Sequence, residues 1–132
     1  EVKGDNEGKI IAKLEEMDAK NKIRDLLRWS RLFGGAVAVM GIDDGQELNM
    51  PLNEDNIRSV EFLHVYDKTE VTWQPTNIYA DPNHKKFGQP KIYQIQPCDS
   101  RPLFEVHESR ILKVCSDTLP NRVLANNMYW GD

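Results

Sequence analysis

Apolar residues recur along residues 8–33 with the period of an amphipathic helix. Ile10, Leu14 and Met17 fall at i, i+4 and i+7, and Ile23, Leu26, Leu27 and Phe33 carry the stripe onward. Asn21, a poor helix former in mid-run, predicts a break or kink between Asp18 and Lys22. Glu15, Glu16, Asp18, Lys20, Lys22, Arg24, Asp25 and Arg28 cover the other faces. Such a charged face is as a rule solvated; the sharper reading is a face that meets a neighbouring subunit. Gly34-Gly35 stops the helix, because glycine takes positive φ at little cost.

Beyond that stop the period changes. Residues 36–42 are apolar on both faces, which predicts a buried central strand. Asp43-Asp44-Gly45 has the chemistry of a hairpin turn, and residues 48–52 read as an extended edge or loop. Residues 59–73 are the longest strand candidate: Val60, Phe62, His64 and Tyr66 share one face and Leu63 and Val65 the other, with the pattern resuming after Asp67-Lys68 and ending at Pro75. Residues 76–90 are polar and rich in turn formers, which predicts a surface loop. Residues 91–96, 103–107 and 110–115 are short alternating strands, with Glu108-Ser109 between the last two. Residues 1–7 read as loose, and the tail from Leu119 carries no clear period. The expected fold is α+β: one long helix, with its break or kink, followed by a mainly antiparallel sheet of five to six short strands. No internal repeat or low-complexity tract is visible.

Composition sharpens this picture. The 132 residues suit a single domain, 1–132, with a modest core: 39% are apolar and 29% charged, and the mean hydropathy is -0.61. No apolar run approaches the ~20 residues of a membrane-spanning helix. A net charge of -4 and a pI of about 5.4, with only Lys85-Lys86 as a basic pair, argue against a surface built to grip nucleic-acid phosphates. An acidic wall past which DNA slides is compatible with them. Cys98 and Cys115 form no CxxC pattern; two reduced thiols are the default, and spacing alone leaves their pairing open. The chain starts at Glu1 rather than methionine and stops at Trp130-Gly131-Asp132, immediately after an aromatic cluster, so it reads as an excised piece of a longer polypeptide.

Candidate chemistry is sparse. His64, His84 and His107 lie in different segments, without a spacing that would place two ligands on one helix face. His64 reads as a half-buried sheet residue and His84 as solvated. His107-Glu108 could orient a metal or a substrate, alone or with Asp67 and His64. Asp43-Asp44 could be a paired-carboxylate site for metal-assisted phosphodiester chemistry, although the following Gly45 favours a plain turn. Gly34-Gly35 precedes a strand and cannot cradle a phosphate on a helix N-terminus. No serine or cysteine sits in a nucleophile motif. Catalytic, cofactor-binding and metal residues are therefore assigned to none, and the chain is read as not an enzyme. Trp29, Trp73 and Trp130 read as core or interface anchors.

An ordered series of landmarks runs through the chain. Arg31-Leu32-Phe33-Gly34-Gly35-Ala36 is followed by Gly41-Ile42-Asp43-Asp44-Gly45, Pro51-Leu52-Asn53 with Ile57, and Phe62-Leu63-His64-Val65-Tyr66-Asp67. Then come Asp81-Pro82 with Phe87-Gly88-Gln89-Pro90 and Tyr93, Val106-His107-Glu108-Ser109-Arg110-Ile111-Leu112, and finally Leu119-Pro120 with Trp130-Gly131-Asp132. From about Asp18 to Asp132 this order resembles the portal protein of tailed bacteriophages and prophages, in its phage-associated, DUF1073-type branch. No landmark is specific alone; it is the order that carries the resemblance.

The resemblance implies a ring, typically of about twelve subunits, at one vertex of the virion capsid, assembled in the bacterial cytoplasm. Such a ring nucleates the shell, docks terminase and capsid or scaffold proteins, and passes double-stranded DNA without sequence-specific binding. This segment would be part of the wing, with no cofactor and no membrane contact. Arg24, Asp25, Arg28 and Arg31 are the candidate subunit interface. Two other classes stay open: a prophage-derived adaptor that forms no ring, and a metal-dependent nuclease using Asp43, Asp44, Asp67 or His107.

Overall fold

The computed structural model describes residues 7–115. The landmarks at Leu119-Pro120 and Trp130-Gly131-Asp132, the third tryptophan and the loose stretch at residues 1–6 lie outside them. The fold is α+β, but the expected long helix is two helices, α1 (Glu7–Glu16) and α2 (Ala19–Phe33). The break falls at Asp18, in the left-handed region at φ 54°. Asp is among the few residues that visit this region, because its short polar side chain bonds locally. Here Asp18 Oδ1 accepts from Asn21 Nδ2 at 2.8 Å and Asp18 O accepts from Lys22 N–H at 3.0 Å. Asn21 thus marks the region of the break by holding Asp18 in place. Gly34 ends α2 at φ 84°, its N–H bonding to Ser30 O at 2.9 Å.

Six strands follow: β1 (Gly35–Asp43), β2 (Ser59–Asp67), β3 (Val71–Trp73), β4 (Ile92–Ile95), β5 (Phe104–His107) and β6 (Ile111–Cys115). They form two antiparallel three-stranded sheets, ordered β2-β1-β6 and β3-β4-β5, rather than the one sheet expected. The reason lies in two corners. β2 turns through a 3₁₀ turn, Lys68–Glu70, into β3; β5 turns through Glu108–Arg110 into β6. Each corner is capped by the last residue of its incoming strand. Asp67 Oδ1 accepts from Thr69 N–H at 2.7 Å, and His107 Nδ1 from Ser109 N–H at 3.2 Å. Each bent strand therefore begins in one sheet and finishes in the other, and the two sheets are joined along two covalent paths.

The core has two layers. Val37 and Val39 point between the sheets and pack with Tyr66, Val71, Tyr93, Ile95 and Val106. Ala36 and Ala38 point the other way, where their small side chains let Leu26 of α2 approach β1 and Leu63. The strand faces therefore fall as the alternation predicts, with Phe62 packed on the first layer and Val65 on the second. The 76–90 loop closes on itself: Gly88 N–H bonds to Tyr79 O at 2.8 Å and Lys91 N–H to Asn77 O at 2.8 Å.

Candidate functional site

β1 and β2 are neighbours, but Asp43-Asp44-Gly45 is not a tight hairpin; residues 44–58 connect the strands as a long loop. At the end of β1 the two carboxylates diverge. Asp43 is exposed and accepts from Gly45 N–H at 3.3 Å. Asp44 is buried and meets the equally buried Arg110 of the second corner, Oδ2 to Nη2, at 2.7 Å. Asp44 is thus committed to Arg110, while Asp43 holds the turn at Gly45.

Arg110 binds the loop together. Its Nε donates to Met50 O at 2.9 Å, and its Nη groups approach Ile42 O at 3.4 Å and Pro51 O at 3.5 Å. Asp44 accepts in addition from Asn53 N–H at 2.8 Å and Gln46 N–H at 3.1 Å. The hydrogen bond from Asn53 N–H, with that from Arg110, outweighs the upward pull of burial and holds the Asp44 carboxyl at about 2. Because its native value lies below that of an unfolded aspartate, Asp44 contributes stability above about pH 4 that disappears as pH falls toward 2. Acid titration of Asp44→Asn followed by circular dichroism should therefore show a shallower loss of structure between those pH values than the parent. An unchanged slope would mean that other carboxylates set the acid limit.

The second corner extends this network. Ser109 Oγ accepts from Leu52 N–H at 2.9 Å and lies 2.8 Å from His107 Nδ1, to which the hydroxyl donates. Burial lowers the His107 pKa against the upward pull of Glu108, with Lys91, Arg110 and Lys86 adding to the lowering, which favours the neutral imidazole. Glu108 faces the 76–90 loop: Tyr79 Oη donates to it at 2.9 Å and Lys86 Nζ at 2.6 Å. Burial and this bond push Tyr79 up to about 12. His84 stacks on Tyr79 with ring centres 4.4 Å apart, and its Nδ1 accepts from Lys86 N–H at 3.0 Å, so it is a turn-holding residue as well as an exposed one. His107 and Glu108 thus hold a cap and a loop.

Asp67 and His107 cap different corners, and His64 stacks on Phe62 at 4.4 Å. Among the described residues, the group of three potential metal ligands lying within 4.8 Å is instead Asp67, Glu70 and Cys98. Asp67 is occupied by Thr69, and Glu70 Oε2 accepts from Cys98 N–H at 3.1 Å. Burial and these acids raise the Cys98 thiol pKa, which disfavours the thiolate that a metal requires. Cys98 and Cys115 are both exposed thiols.

Arg24, Asp25, Arg28 and Arg31 are all exposed on α2, on the side away from Leu26 and Ser30, with Asp25 and Arg28 paired at 3.5 Å. Beside them Trp29 stacks on Phe33, ring centres 5.6 Å apart, and Leu32 is 67% exposed. Trp73 packs against the inter-sheet core. What sequence reasoning missed is Arg110 as the organising residue. Its partner lies 66 positions away, and nothing local in Ser109-Arg110-Ile111 distinguishes a buried guanidinium from an exposed one.

Over residues 1–132 the chain matches the family model described as "Phage portal protein". A curated protein from Caulobacter sp. (strain RHG1), named anti-CBASS protein Acb1, is 28% identical over 124 residues, covering 92% of this chain and 19% of that protein. The chain thus spans about a fifth of the length of that relative.

Proposed function

The chain belongs to the phage portal protein family, and on that premise we propose that it is a wing segment of a portal ring: a structural part of the conduit through which double-stranded DNA enters and leaves the capsid. The match over residues 1–132 carries this reading. It is supported by the commitment of the buried polar groups Asp44, His107 and Arg110 to holding loops and corners. A conduit needs rigid walls and no reacting group, so we read the segment as non-enzymatic. Its partners are further copies of the protein, with terminase, capsid and scaffold contacted by other parts, and its place is the portal vertex of the virion. The net charge of -4 fits a wall that does not retain phosphates.

The exposed Arg24, Asp25, Arg28 and Arg31 are the proposed subunit interface. Electron microscopy of the complete protein should show rings with a central channel. Arg24→Glu/Arg28→Glu should lower ring yield by about tenfold, a loss of ~1.4 kcal/mol per contact, while leaving the circular dichroism spectrum and melting temperature intact. Undiminished ring yield would remove these residues from the interface. A second reading is an adaptor module in a protein that forms no ring; a similar segment occurs in the protein named anti-CBASS protein Acb1. A uniform monomer in the same micrographs would support it.

A further inference from the structure

The outward face of α2 carries four cations, Lys20, Arg24, Arg28 and Arg31, flanked by the exposed Leu27 and Leu32. Only Arg28 has an ion-pair partner among the described residues. A face of this kind, with most of its cations unpaired and with apolar flanks, calls for an acidic surface with an apolar floor. The molecule has one elsewhere. Between the edges of β2 and β5 lies an open groove of about 680 Å³, with Ile42, Leu48, Phe62, Leu103 and Phe104 forming its apolar lining. Its charged lining residues are Asp43, Glu47, Glu61 and Glu105, all carboxylates. Glu61 and Glu105 accept only from neutral donors, Ser59 and Gln94, so those bonds leave the charge in place. A smaller cavity of about 230 Å³ shares Leu48, Phe62 and Phe104 and lengthens the floor.

The groove and α2 lie on opposite faces of the β1–β2 pair. α2 covers the Ala36 and Ala38 side, whereas Phe62 and Leu48 belong to the Val37 and Val39 side. No copy can therefore fill its own groove with its own α2. The 76–90 loop offers no acidic acceptor in its place: its Lys86 is paired with Glu108, and Asp81 stands against Lys85.

We propose that the groove between β2 and β5 receives the outward face of α2 from a second copy of this chain, with Arg24, Arg28 and Arg31 meeting Asp43, Glu47, Glu61 and Glu105. This rests on the portal-ring reading above and names the acceptor surface for α2. It is a helix-in-groove contact, in which Leu27 and Leu32 meet the apolar floor and charge fixes the register. Because donor and acceptor surfaces differ, the contact is heterologous: each copy uses its helix on one neighbour and its groove on the other, and the series closes into a ring or continues as a filament.

Disulfide trapping in the complete protein, with Cys98 and Cys115 replaced by serine, tests this. Arg24→Cys combined with Glu105→Cys in one chain should give a ladder of oligomers on mild oxidation. Each single variant should stay monomeric on a denaturing gel, and a mixture of the two singles should stop at dimer. Adding Glu61→Lys to the double variant should reduce the ladder about tenfold, and Arg28→Glu should then restore it in part. Rings in the microscope without a ladder would overturn the docking assignment and leave the portal reading standing. A disulfide-linked dimer from either single variant alone would overturn it too. A ladder without rings would uphold the docking and remove the ring, whereas absence of both would overturn both.

Discussion

Replacing Arg110 by methionine is expected to lower the unfolding free energy by about 3–5 kcal/mol, the usual consequence of removing one partner from a buried ion pair. Methionine fills much of the same volume, so the loss comes from what is left behind. The Asp44 carboxylate keeps its burial and loses its cation, and Met50 O loses its donor. Lysine should not rescue fully, because an ammonium lacks the fork that reaches a carboxylate and several carbonyls together. Arg110→Met/Asp44→Leu should be more stable than Arg110→Met alone, since the orphaned charge is gone. Urea denaturation of the three variants checks this. A methionine variant within 1 kcal/mol of the parent would show that the pair does not hold the 44–58 loop.

Gly41→Ala is expected to be the next most disruptive change, at about 1–3 kcal/mol, the usual range for overpacking. Gly41 faces Phe62 across the β1–β2 ladder, next to a bulge between Gly41 and Ile42. A Cβ built there would lie 2.3 Å from Phe62 Cε1 and 2.4 Å from Cδ1. The ring fills the space that the glycine leaves, so a methyl group must drive it from the groove floor. Phe62→Leu should recover part of the stability in the Gly41→Ala background, because leucine can turn aside. Thermal unfolding that places Gly41→Ala level with the parent, or the double variant below it, would contradict this account.

These two sites also mark where sequence reasoning reaches and where it stops. The helix stop at Gly34, the two-faced burial of β1 and the division of Phe62 from Leu63 follow from local rules: positive φ at glycine, and a side-chain period of two. The helix break was legible to within a few residues, because Asn21 signals it by bonding to Asp18. The partition into two sheets was not. Asp67 and His107 interrupt their strands in the manner of any loop, and no single-sequence signal separates a corner into a second sheet from a gap within one strand. Lys68-Thr69-Glu70 and Glu108-Ser109-Arg110 make the same turn with little in common beyond the hydroxyl residue at their centre. The candidate interface on α2 was readable as a charged face. Its acceptor was not, since Asp43, Glu47, Glu61 and Glu105 gather from three separate stretches of chain only when the fold brings β2 and β5 alongside.

The two capped corners have a mechanical consequence. Ordinary stacked sheets can shear, because only side chains connect them. Here β2 passes into β3 and β5 into β6, so a displacement of one sheet must stretch or bend two continuous backbones. Among the described residues the two sheets are braced along two backbone paths. α2 is seated on one face of the β1–β2 pair and the β2–β5 groove opens on the other, so this bracing lies between helix and groove. In the proposed ring, curvature would then be decided within each copy before any two of them meet.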